Sequence, residues 1–232
     1  MSATGSSSKE PISRRTGRTA RGLEAVEDYA AGPDASIEAT AAAMAKVEHA
    51  RSIVLVEGVS DQAALETLAE RLDMNLAGDG VVVVPIGGAN AIAKFLRRFN
   101  SQESVERIVG LCDSAEAVHY RRALDIAPST KVDDNGDLEA VGFFVCVEDL
   151  EDELIRAVGQ QKIEDVLTEI GDIGSFRTLQ KQPAWQDAPF EAQMRRYLGA
   201  GARRKLRYAH LLVEALDLRR VPAPLEGVLA SA

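Results

Sequence analysis

Between residues 53 and 147 the chain alternates short, continuously apolar runs with stretches whose apolar positions recur every three or four residues. Residues 53–56 form the first run, β-branched and closed by Glu57 and Gly58, and Ala64, Leu65, Leu68 and Leu72 follow at helical spacing. Residues 81–86 form the second run, stopped by Gly87 and Gly88, with Ile92, Phe95, Leu96 and Phe99 spaced as a helix after it. The third covers residues 108–112 and ends in Asp113, with a helix predicted over 115–126, and the fourth covers 142–147, with a helix opening near Asp149. Strands that are apolar throughout, separated by helices, predict an α/β fold: a parallel sheet with helices on both faces. Upstream, Asp34 or Ser36 is placed to cap a helix through Ile37, Ala41, Met44 and Val47 that ends near Ala50. Downstream, helices are predicted at 163–170, 190–198 and 202–216. Residues 171–189 read as a loop bearing Pro183, Trp185 and Pro189, and the proline-bearing 221–224 closes the last helix. No internal repeat is present.

Composition places that pattern in a chain of 232 residues, 46% hydrophobic and 27% charged, enough for one core plus appended segments. The expected organisation is a disordered basic tail over 1–33, a helix over 34–50, the sheet-bearing core over 51–158 and a helical C-terminal extension over 159–232. The tail is rich in Ser, Thr, Gly and Arg and too poor in large apolar residues to offset its ordering entropy. It also lacks the apolar centre of a secretory signal, and no run approaches the roughly 18 to 20 apolar residues of a membrane span. Two cysteines and three histidines exclude a disulfide scaffold and a four-cysteine zinc site. A soluble, reduced, cytoplasmic protein without a membrane partner is expected.

The net charge of −9 argues against a general nucleic-acid coat, which would be basic. It leaves room for an enzyme in which metal ions invert a local acidic field. The acids fall where such a site would be. In open parallel sheets ligands sit beyond the carboxyl ends of the strands, and there Glu57 follows the first run with Asp61 one turn later. Asp113 closes the third, with Glu116 three residues on, and Glu148, Asp149, Glu151, Asp152 and Glu153 follow the fourth. Carboxylates converging from three strand ends repel each other unless a cation binds. Magnesium and manganese favour such oxygen donors and can clamp a phosphodiester. Asp61, Glu116 and the 148–153 run also suit helix N-termini, where acids are stabilised without any ligand. Glu57 and Asp113 lack that second explanation.

At these residues the chain resembles a known family. Val54-Leu55-Val56-Glu57-Gly58-Val59-Ser60-Asp61 is similar to the opening motif of Toprim domains, in the branch found in overcoming-lysogenization-defect (OLD) nucleases. Leu111-Cys112-Asp113 falls where the Toprim aspartate motif belongs, Asp149-Leu150-Glu151 resembles the acidic motif after the next strand, and Arg204-Lys205 resembles a downstream lysine. The resemblance spans roughly 50–217 and implies a Toprim-type sheet. It implies Glu57, Asp61, Asp113 and Glu151 as metal ligands for Mg²⁺ or Mn²⁺, Glu57 also as acid or base, and Lys205 as the charge that stabilises the phosphate. Asp149 and Glu116 are candidate additional ligands, and Gly87, Gly88 and Arg204 are candidate substrate contacts. One departure stands out. The family motif is Asp-x-Asp, whereas this chain reads Asp113-Ser114-Ala115-Glu116, so a second metal ion is in doubt. The phosphate-binding loop of an ATPase is also absent from these residues.

Two readings of function follow. One is a metal-dependent, OLD-like Toprim nuclease cleaving DNA or RNA, with DNA the expected partner. The other is a catalytically weak or inactive Toprim module that binds nucleic acid or nucleotide, or serves a separately encoded ATPase subunit; a homodimer is admitted as an assembly. Other signals reduce to structure. Asp133-Asp134-Asn135-Gly136-Asp137 lacks the spacing of a calcium loop and reads as a turn, and Cys112 and Cys146 read as core residues. His49, His119 and His210 share no ligand spacing, and Trp185 reads as an anchor holding its loop down in preference to a base-stacking platform.

Overall fold

The computed structural model describes Tyr29 and residues 34–124 and 134–232. The expectation of a disordered tail over 1–33 therefore lies, Tyr29 apart, outside the described residues. The four apolar runs become β1 (Ser52–Val56), β2 (Val81–Pro85), β3 (Arg107–Asp113) and β4 (Phe143–Cys146), in the order β2-β1-β3-β4 and all parallel. Val54 pairs with Val83 on one side and Val109 on the other, so β1 is central and every one of its residues is buried. Strands buried on both faces have no polar face to show, which is why their sequences run apolar without alternation.

Alternate side chains of β1 feed two separate cores. Ile53 and Leu55 meet Val84, Phe95, Phe99, Tyr120, Leu138 and Phe143. That layer is built by α1 (Ala35–Lys46), α3 (Ile92–Asn100), α4 (Ala117–Leu124) and α5 (Asn135–Ala140). Val54 and Val56 face the other way, onto α2 (Val59–Arg71), α6 (Leu150–Val158), α7 (Gln160–Glu169), α8 (Ile173–Gln180), α9 (Phe190–Leu198), α10 (Ala202–Ala215) and α11 (Ala223–Ser231). The C-terminal helices thus share one core with α2 and the sheet. Arg71 at the end of α2 reinforces this by donating to the carbonyls of Val213 and Leu216.

Three expectations need correction. Residues 171–189 are not all loop: α8 lies within them, with Phe176 buried edge-on against Phe190 and Tyr197. Its apolar positions, Ile173, Phe176 and Leu179, are too few to show a period. The prolines near 222 do not end the helical region but begin α11, because Pro fits the first helical turn, where an amide lacks a partner. Leu225, Val228 and Leu229 of α11 are buried, each contributing about 1.5 to 3 kcal/mol relative to exposure. Gly227 lets α11 approach the sheet, since a Cβ there would collide with the Phe144 ring. Finally, the acidic stretch read as a turn is a cap. Asp134 accepts from the Asp137 amide and opens α5.

Candidate metal centre

From β1 the chain moves outward to β2, then returns across β1 to lay down β3 and β4. The crevice where this order reverses opens between the carboxyl ends of β1 and β3, the place where open α/β sheets bind ligands. Glu57 is the first residue beyond β1 and Asp113 the last of β3. The Glu57 carboxylate bridges the crevice, its Oε1 3.4 Å from the Asp113 amide. Its backbone is clamped from the opposite side, since the amides of Gly87 and Gly88 donate to the Glu57 carbonyl at 3.0 and 3.1 Å. Both glycines have positive φ, 76° and 110°, which lets two successive amides face one oxygen. The proposed substrate contacts Gly87 and Gly88 therefore have their amides on Glu57 and fix where it stands.

Asp61 enters from the first turn of α2, where its Oδ2 accepts from the Gly58 amide at 2.8 Å. Glu151 enters from the first turn of α6, buried to 5% exposure. Its Oε2 lies 3.1 Å from Lys205 Nζ, at the start of α10, while its Oε1 is buried with no hydrogen-bond partner among the described residues. One buried oxygen is thus left without the donor that buried carboxylates normally find.

The groups sense one another. Loss of hydration, then Asp113, pushes the Glu57 carboxyl up to about 7. Loss of hydration and Glu151 raise Asp61 to about 7, and loss of hydration and Asp61 raise Asp113 to about 7. Burial also raises Glu151, against the pull of Lys205. Burial opposes the charge of Lys205, yet Glu151, Asp61 and Asp113 outweigh it and hold the ammonium well above its ordinary range. This is a set of carboxylates short of positive charge, with one lysine as the shared counter-ion. Among the described residues no three Asp, Glu, His or Cys side chains converge closely enough to hold an ion as they stand. The donors are nevertheless of the right kind for magnesium or manganese, all of them carboxylate oxygens, and the unpartnered Glu151 oxygen suits a cation.

The other candidates are engaged elsewhere. Asp149 caps α6 through the Asp152 amide at 2.8 Å and holds Arg195 at 2.6 Å, so both its oxygens are in use. Glu116 lies 3.4 Å from His119 Nε2 and close enough to Glu57 to add to its upward shift. Ala115 brings no oxygen. Arg204 stacks its guanidinium 4.3 Å from the Tyr197 ring centre and donates to the Tyr197 carbonyl. Of the 148–153 run, Asp152 and Glu153 pair with Arg156, and Glu153 also accepts from the Val147 amide. Arg195 was not foreseen. It reaches Asp149 and, at 3.8 Å, Glu148 from α9, and no spacing in the sequence links residues 46 positions apart.

The arrangement is thus a parallel α/β sheet of Toprim type with an acidic crevice at its switch point. Residues 49–109 match the family described as overcoming lysogenization defect protein-like, TOPRIM domain, a segment running from just before β1 into β3 that contains Glu57, Asp61 and the Gly87–Gly88 turn. The chain is also similar in fold to the C-terminal region of the Burkholderia pseudomallei OLD protein, at 23% identity and TM-score 0.58, over 78% of this chain and 96% of that one. The C-terminal region of the Xanthomonas campestris pv. campestris OLD protein is similar at 22% identity and TM-score 0.58, over 80% and 93%. No curated protein matches the chain. The recognised resemblance to the OLD Toprim domain therefore holds. Among the described residues no helix is long and apolar enough to cross a membrane.

Proposed function

We propose that the chain is a metal-dependent Toprim nuclease acting on the phosphodiester bonds of nucleic acid, with DNA the expected substrate. The observation that carries this reading is the meeting of Glu57 and Asp113 across the β1–β3 crevice, with Asp61, the half-satisfied Glu151 and Lys205 as electrostatic neighbours. Glu57, Asp61, Asp113 and Glu151 would hold Mg²⁺ or Mn²⁺, which when bound neutralises phosphate charge and acidifies a water. Glu57, set in the crevice beside the Asp113 amide, is also the carboxylate placed to accept or deliver a proton. Lys205 offers a point charge to the phosphate, and its pairing with Glu151 keeps it at the rim of the crevice. Asp149 and Glu116 stand beside the ligands, the first as a cap that also positions Arg195.

A second reading rests on Ala115, which supplies no carboxylate where the resembled motif has its second aspartate. On that reading the module is catalytically weak, binds nucleic acid or nucleotide, or serves a separate ATPase subunit. Plasmid nicking in Mg²⁺ or Mn²⁺ separates the two. Cutting by the wild type and none by Glu57→Ala supports the nuclease; cutting that survives Glu57→Ala removes it; no cutting by either leaves the binding module.

A further inference from the structure

A cleft of about 450 Å³ opens beside Glu151 and Lys205, lined also by Asp149, by Trp185 and by Arg195 and Arg196 of α9. The sequence suggests that Trp185 anchors its loop, and its backbone is held there by further hydrogen bonds. The Trp185 amide donates to the Gln182 carbonyl and its carbonyl accepts from Gln193 Nε2, both at 2.8 Å, and Gln180 in turn holds Gln193. The indole itself joins neither of the two apolar cores, and no aromatic ring of the described residues stacks on it. A large planar side chain, partly buried, thus lines the cleft on a backbone held by these hydrogen bonds. The cations of the cleft are of two kinds. Arg195 is tied to Asp149 and Lys205 to Glu151, whereas Arg196 is exposed and makes no ion pair among the described residues.

We propose that this cleft is a single-strand subsite, in which one unstacked base lies on the Trp185 indole while Arg196 contacts a neighbouring phosphate. The proposal rests on the nucleic-acid reading of the adjoining crevice and extends it to the form of the substrate. Any base offers a π-face to an indole, but in a duplex both faces are covered by neighbours, so a fixed indole in a cleft selects strands that are single or splayed. The cleft meets the crevice at Glu151 and Lys205, which line it, so a strand seated on Trp185 would lead its backbone toward the carboxylates.

Trp185 is the chain's sole tryptophan, so its emission reports on this cleft alone. The wild-type chain is titrated in EDTA with a short oligothymidylate and, separately, with the same strand annealed to its complement. The expected result is saturable quenching by the single strand that the duplex matches only at about ten-fold higher concentration or more. By anisotropy of an end-labelled strand, Trp185→Ala binds about 5- to 150-fold more weakly and Trp185→Phe recovers most of the loss. Arg196→Gln lowers the log–log salt slope by about 0.7, the share of one phosphate on a single strand. Absence of quenching, equal quenching by both forms, or unchanged affinity in Trp185→Ala overturns the proposal. The nuclease reading fails separately: quenching without metal-dependent cutting leaves the subsite standing, and Glu57-dependent cutting without quenching removes the subsite alone.

Discussion

Two acidic regions of this chain look alike in sequence and differ in what surrounds them. In the run after β4, Asp149 caps a helix and grips Arg195, Asp152 and Glu153 share Arg156, and Glu153 also takes the Val147 amide. In the crevice between β1 and β3, Glu57 and Asp61 each accept from a single amide, Glu57, Asp61 and Asp113 share Lys205 as a common counter-ion, and all three are pushed up to about 7. Glu151 belongs to the first region in sequence and to the second in space. Acids that fold a protein find cations or several donors of their own; acids reserved for a ligand remain short of them. The comparison locates the site more sharply than any count of carboxylates.

The largest effect expected from this contrast is in catalysis. Glu57→Ala lowers metal-dependent cutting by about 10²- to 10⁴-fold, the range of a lost general acid or base, while Asp152→Asn stays within a few-fold of wild type in the same nicking assay. Equal losses in the two would erase the distinction between the regions. Next, Lys205→Met lowers cutting by about 10²- to 10³-fold, as for removal of one preorganised charge at the reacting group, with less effect on metal affinity measured by calorimetry. Parallel losses of rate and affinity would place the lysine with the ion and not with the phosphate.

The third effect is on stability and has a definite sign. Glu57, Asp61 and Asp113 sit near 7 when folded, whereas unfolded carboxyls titrate near about 4. Between those values the folded chain keeps protons that the unfolded chain has released. These groups therefore cost nothing at low pH, destabilise progressively as pH rises from about 4, and exert their full penalty above about 7. In EDTA, thermal melts of Asp113→Asn should lose less stability between those limits than wild type does, and Mg²⁺ should recover the wild-type loss at the upper limit. A variant as pH-sensitive as wild type would show that the crevice is not strained. The smallest effect is that of Asp152→Asn on stability, about 0.3 to 0.5 kcal/mol for a helical i,i+4 pair with a half-exposed arginine, read from urea midpoints.

The sheet was legible because doubly buried strands must be apolar end to end, and Val54, Val83, Val109 and Val145 sit in such runs. Glu57 and Asp113 were legible because a charge that closes an apolar strand has no packing reason to be there. What escaped notice depended on distant partners. α8 shows only three apolar residues until Phe176 meets Phe190 and Tyr197, and α11 hides behind prolines that begin a helix as readily as they end one. Gly87 and Gly88 were noticed for their place at the strand end, but not for holding the Glu57 carbonyl, which only the fold reveals. The pairing of Arg195 with Asp149, and the cleft that Arg195 and Trp185 line, become visible only when α9 is seen beside α6.

The seating of α11 on β3 and β4 sets an order on synthesis. A nascent chain that has emerged only as far as α6 holds all four strands, with α2 and α6, but not α7 to α11, which complete the cover of Val54, Val56 and Leu111 on one side, so part of that face would meet water or a chaperone until residue 231 is free. A truncation after residue 158 is accordingly expected in the insoluble fraction, however complete its motifs.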